Sequence, residues 1–82
     1  MKQKEKDKIE KNLLYLLFTE IKDFETIRGI QTHYNEIFDT NYSYGIIKRR
    51  LESLFKNALI AKKELNYKIG NNDLIILYGM EK

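Results

Sequence analysis

Lys48, Arg49 and Arg50 stand in succession within "SYGIIKRRLESLFKNALI", residues 43–60, and no other stretch sets three basic side chains side by side. Adjacent ammonium and guanidinium groups can pair with carboxylates, with phosphates, or with the acceptor edge of guanine. Other chemistries are poorly supplied. There is no cysteine, which removes disulfides, thiolate nucleophiles and cysteine-ligated zinc. His33 is the single histidine and has no second histidine or cysteine to share a metal with, so it is expected at the surface. The 12 carboxylates are scattered along charged faces without a suggested nucleophile–base pair. A chain that is not an enzyme, and that uses no cofactor, metal or small-molecule ligand, is the expectation.

The net charge is only +3, but its distribution is uneven. Residues 48–68 hold seven basic side chains (Lys48, Arg49, Arg50, Lys56, Lys62, Lys63, Lys68) against Glu52 and Glu64, a local charge of +5. Residues 1–47 hold seven basic and eight acidic side chains, and residues 69–82 one and two, so each of these segments sums to −1. The positive excess therefore falls in one segment, and such a concentration attracts polyanions. With 43% hydrophobic and 33% charged residues over 82 positions, the composition is that of one small folded domain, 1–82. A core of this size gains stability from a partner subunit. The longest apolar run, "LLYLLF", has six residues against the roughly 20 that cross a bilayer. "MKQKEKDKIEKN" does not open a signal peptide, so a cytoplasmic protein without membrane contact is expected.

The elements that must carry the basic segment follow from apolar spacing. Ile9, Leu13, Leu16, Leu17, Ile21 and Phe24 recur every three to four residues, which predicts a first helix over about 5–22, with residues 1–8 as its frayed or solvated start. A second helix is expected from Glu25 or Thr26 to Phe38, with Thr26 as N-cap and Ile27, Ile30, Tyr34, Ile37 and Phe38 inward. "DTNYS" interrupts the period, and a third helix runs from Asn41–Ser43 to Asn57 with Ile47, Leu51, Leu54 and Ala58 on its buried face. Leu65, Tyr67 and Ile69 then alternate as a half-buried strand, "GNND" reads as a hairpin tip, and "LIILY" returns as a strand covered on both faces.

Three helices followed by a hairpin, together with "IIKRRLESLFKNALIAKKEL", resemble the winged helix-turn-helix superfamily of DNA-binding domains. Ile47, Leu51, Leu54, Ala58, Leu59 and Ile60 fill the superfamily's pattern of apolar residue, polar pair, Leu-x-x-Leu, small residue and Leu-Ile before the wing. Ala58 stands where many relatives have glycine, which suggests an ordinary helical exit there. Small bacterial regulators of the MarR and PadR type and compact regulators of archaeal plasmids and viruses look similar. The resemblance implies an α+β fold in which residues 43–57 form a recognition helix and residues 60–79 a β-hairpin wing.

It also implies double-stranded DNA as the partner and transcriptional regulation as the role. Gly45, Lys48, Arg49, Glu52, Ser53 and Lys56 would lie outside the buried arc of the third helix. Lys48 and Arg49 would enter the major groove, Arg49 pairing with a guanine edge. Arg50, on the flank, would reach phosphate, and Asn41 and Ser43 could donate to a backbone phosphate at the helix start. Gly45 would permit close approach of DNA or close helix packing, with equal claim. Lys62 would contact phosphate, and Lys68, Asn71 and Asn72 would carry the wing's contacts to the minor groove or its phosphates. Tyr44 is expected in the core, whereas Tyr42 is a weaker candidate for a backbone contact. Leu14, Tyr15 and Phe18 fall off the first helix's buried face and are expected to form a homodimer surface. Two alternatives share the fold: a protein-interaction module, and a plasmid or viral replication or partition protein.

Overall fold

The computed structural model describes residues 1–69 and 71–81, and between residues 66 and 74 it describes backbone only. The order is α1 (Gln3–Thr19), β1 (Glu25–Thr26), α2 (Ile27–Phe38), α3 (Tyr44–Lys56), β2 (Ala61–Ile69) and β3 (Asn71–Gly79). The protein is α+β, with three helices against an antiparallel sheet of order β1-β3-β2. Among the described residues no helix is long and apolar enough to cross a membrane.

Helix α1 already begins at Gln3, and its Ile9, Leu13, Leu16 and Leu17 are fully buried. It stops at Thr19 rather than near residue 22. The Glu20 and Ile21 amides both close onto the Leu16 carbonyl, which turns the chain out of the helix. Ile21 is therefore buried beyond the helix end, and Phe24 is half-buried in the connection to β1. Gly79 lets this connection approach the sheet, because a Cβ there would crowd the Phe24 backbone.

Strand β1 was not legible in the sequence. It pairs Glu25 with Tyr78 and Thr26 with Leu77 through backbone groups alone, so two residues suffice and no side-chain alternation announces them. Thr26 then caps α2, its Oγ accepting the Gly29 amide. Ile27, Ile30 and Tyr34 of α2 are buried as their spacing requires, and Tyr34 accepts a hydrogen bond from Asn12 of α1. Burial pushes the Tyr34 hydroxyl above its ordinary pKa, as it does that of Tyr78. Ile37, expected inward, is 44% exposed on the last turn of α2.

Between α2 and α3 the chain is held by one side chain. Asn35 donates through Nδ2 to the Tyr42 carbonyl at 3.0 Å, and its Oδ1 accepts the Tyr42 amide at 2.9 Å and the Thr40 hydroxyl at 2.8 Å. Gln31 donates to the same carbonyl. Ser43 follows as N-cap of α3, accepting the Ile46 amide. Ile47, Leu51 and Leu54 then enter the core shared with α1 and α2, and burying each contributes roughly 1.5–3 kcal/mol.

The exit of α3 differs from expectation. Ala58 adopts φ 60, in the left-handed region, and is exposed. Its amide bonds to the Phe55 carbonyl and the Leu59 amide to the Leu54 carbonyl, the paired closure known as a Schellman motif. The geometry usual for glycine is kept even though the residue is alanine. Strands β2 and β3 pair from Ala61 with Gly79 to Ile69 with Asn71. Leu65, expected to be half-buried by alternation, is 45% exposed. Of the described side chains of "LIILY", Tyr78 is buried and Ile75, Ile76 and Leu77 are partly so. The side chains of Tyr67 and Ile69, and the tip at Gly70, lie outside the described residues.

Because left-handed backbone costs an L-residue about 1–2 kcal/mol, Ala58→Gly should stabilise the domain by up to about 1 kcal/mol, after the added unfolded-state entropy of glycine is subtracted. Urea unfolding would show this as a higher midpoint with an unchanged slope. A lower midpoint would mean that Ala58 contributes packing that outweighs the strain.

Candidate nucleic-acid interface

Three consecutive cations on one helix cannot share a direction, since each step turns about 100°. In α3 their fates diverge accordingly. Lys48 is exposed on the side of α2 and the sheet, where it lines a concavity of about 300 Å3 with Thr26, Ile27, Arg28, Tyr44, Ile75 and Ile76. Arg49 is exposed on the side of α1 and borders a smaller concavity of about 200 Å3 with Met1, Lys6, Ile46 and Arg50. Among the described residues neither side chain has a carboxylate partner. Arg50 is different. Its guanidinium donates to Glu10 of α1 at 2.9 Å, with the two side chains only 16% and 19% exposed. Arg50, expected to reach a phosphate, ties α3 to α1 through this pair.

The start of α3 is open. Ser43 and Asn41 are exposed, and Ser43 satisfies the Ile46 amide while its carbonyl takes that of Ile47. A Cβ built on Gly45 would meet nothing within 4 Å, so packing inside the domain does not require glycine there. Tyr44, expected in the core, is 39% exposed, and the Arg28 guanidinium carbon lies 5.5 Å from its ring centroid. Tyr42 is engaged within the domain. Its hydroxyl donates to Glu5 at 3.1 Å and its ring meets Tyr34 edge-on, and burial followed by the Glu5 carboxylate raises its pKa.

Lys62 does not join this group. Its ammonium lies 3.6 Å from Glu64 and 5.1 Å from the centroid of Phe55, at the C-terminal end of α3. Lys63 lies 4.1 Å over the ring of Phe24. The side chains of Lys68, Asn71 and Asn72 lie outside the described residues. Two basic residues beside α3 were missed by sequence reasoning, Arg28 on α2 and Lys6 on α1. Both fall in the stretch whose charge sums to −1, so only tertiary contact reveals them.

A second surface lies on α1. Tyr15 and Phe18 are 52% and 63% exposed, while Leu14 is half-buried at the edge of the core. Tyr15 meets Phe38 edge-on at 6.3 Å. Phe18 lines a groove of about 400 Å3 with Ala58, Leu59, Ile60, Ala61 and Met80, and Leu59 is itself 53% exposed. His33 is exposed on α2.

Replacing Arg50 or Glu10 by alanine should each cost on the order of 1–3 kcal/mol, because the remaining charge keeps its partial burial without a partner. The double replacement should cost less than the sum, which a denaturation cycle measures directly. Strict additivity would mean that the pair contributes no coupling.

Comparison of the chain with protein-family models, with curated proteins and with solved structures finds no match.

Proposed function

We propose that this protein binds double-stranded DNA as a small winged helix-turn-helix transcriptional regulator. In this reading the first half of α3 enters the major groove and the β2–β3 hairpin serves as the wing. The observation that carries the reading is the pair Lys48 and Arg49, exposed and without carboxylate partners on a helix whose opposite face is core. Arg50 beside them is paired with Glu10, so in this half of α3 the charge open to a polyanion is that of Lys48 and Arg49. Helix order and the β1-β3-β2 sheet are compatible with the layout that the resemblance implies. Open space at Gly45 suits a closely approaching duplex.

Fluorescence anisotropy with a labelled random-sequence duplex tests this at two salt concentrations. Wild type should bind with strong salt dependence, and the Lys48→Ala/Arg49→Ala variant should lose most of that binding. On a cognate site Arg49→Ala alone should cost ~1–3 kcal/mol and relax preference at one base pair. No binding by wild type at tens of micromolar protein and low salt would end the reading and turn attention to protein partners.

The proposal includes a homodimer through α1, supported by the exposure of Tyr15, Phe18 and the neighbouring Leu59. A two-fold pair would address half-sites about 34 Å apart. Sedimentation velocity should give a dimer for wild type and a monomer for Phe18→Lys, since a charge would replace apolar surface in the contact. A wild-type monomer at high micromolar concentration would remove the dimer and leave DNA binding standing.

A further inference from the structure

Arg28 is the strongest element of the surface that the DNA reading does not use. It lies on the first turn of α2, is exposed, and belongs to none of the basic run of residues 48–68. Its guanidinium is placed 5.5 Å from the ring centroid of Tyr44, the first residue of α3. Tyr44 and Lys48 are one helical turn apart on the same side of α3, and both line the concavity that Arg28 borders. We propose that Arg28, steadied by Tyr44, forms with Lys48 a cradle for one phosphodiester of the backbone of bound duplex DNA. The proposal rests on the DNA-binding reading and extends that interface from α3 onto α2.

Each part of the cradle has a physical reason. A guanidinium lying over an aromatic ring keeps its N–H edge free, and that edge offers the paired donors suited to two phosphate oxygens. The ring limits the rotamers of a long side chain, so less freedom is lost when phosphate binds. Ile27, Ile75 and Ile76 line the same concavity with apolar surface, which lowers local screening and strengthens attraction between the two cations and an anion. Neither Arg28 nor Lys48 has a carboxylate partner among the described residues. The end of α2 is not the site. The Glu25 carboxylate already accepts the Thr26 amide and hydroxyl, and Thr26 Oγ accepts the Gly29 amide. Tyr44 is thus a positioning residue, and its partial exposure follows from holding Arg28 rather than filling the core.

The test is the same anisotropy measurement, with the full chain and a labelled duplex over a series of salt concentrations. Arg28→Ala should weaken binding roughly tenfold on every sequence and lower the slope of log affinity against log salt by about 0.9, one phosphate contact. Tyr44→Leu should weaken binding several-fold, Tyr44→Phe should bind as wild type, and Arg28→Ala/Tyr44→Leu should bind no worse than Arg28→Ala alone. Lys11→Ala, on an exposed part of α1, serves as the control for general loss of charge. Circular dichroism establishes that each variant is folded, and Tyr44→Phe keeps the test informative if Tyr44→Leu unfolds. If Arg28→Ala keeps wild-type affinity and slope while Lys48→Ala/Arg49→Ala loses binding, the cradle is wrong and the α3 interface survives. Equal losses in Arg28→Ala and Lys11→Ala would also overturn it, as would additive effects of Arg28 and Tyr44 for the positioning role. If wild type does not bind duplex at all, the interface and the cradle fall together.

Discussion

The angle between α2 and α3 depends on Asn35. Its amide grips both backbone groups of Tyr42 and the hydroxyl of Thr40, which ties the five-residue connection after Phe38 back onto α2. Backbone polar groups in a connection this short must find partners, and here one side chain supplies most of them. The consequences spread from that point. Tyr42 is presented to Tyr34 and Glu5, Ser43 is placed to cap α3, and Ile47 reaches the core in register with α1. An amide at this position does for the tertiary structure what periodicity cannot, since it sets where an amphipathic helix points.

The core itself is small. Among the described residues, thirteen buried apolar side chains from all three helices, their connections and β3 make one cluster, and no buried side-chain polar atom lacks a partner. With so little interior, devices at the edges matter. The ion pair between Arg50 and Glu10 links two helices at the rim of the core. The caps at Thr26 and Ser43, and the closure around Ala58, satisfy helix ends that packing leaves open. Such pairs and caps each contribute little, but a domain of this size is stable by a small margin.

The same economy shapes the surface. Charges that look equivalent in sequence serve different ends, because three adjacent positions on a helix point towards a concavity beside the sheet, a second concavity beside α1 and a carboxylate of α1. Lys62 and Lys63 lie over aromatic rings beside the sheet, Arg50 is spent on structure, and Lys48 and Arg49 remain without partners among the described residues. The basic segment is therefore not a uniform patch. Its external face is narrower than its +5 charge suggests, and it is widened from outside by Arg28 and Lys6.

Helix positions and their buried faces were legible from the sequence because 3.6-residue spacing is a local property. Ile9, Leu13, Leu16 and Leu17, then Ile27, Ile30 and Tyr34, then Ile47, Leu51 and Leu54 are buried where spacing places them. The cap at Thr26 was legible for the same reason, since it acts within one turn. What alternation and spacing could not decide was coverage. Leu65 and Ile37 have the pattern of buried residues yet are 45% and 44% exposed, and Tyr44, expected inward, is exposed with the Arg28 guanidinium beside its ring. Strand β1 escaped because backbone pairing leaves no mark on side-chain order, and the left-handed Ala58 because closure of a helix end can override residue preference. Local chemistry determined the elements and their inner faces. Only the tertiary structure decided which cations are free and which aromatic rings hold them, because those partners lie far apart in the chain.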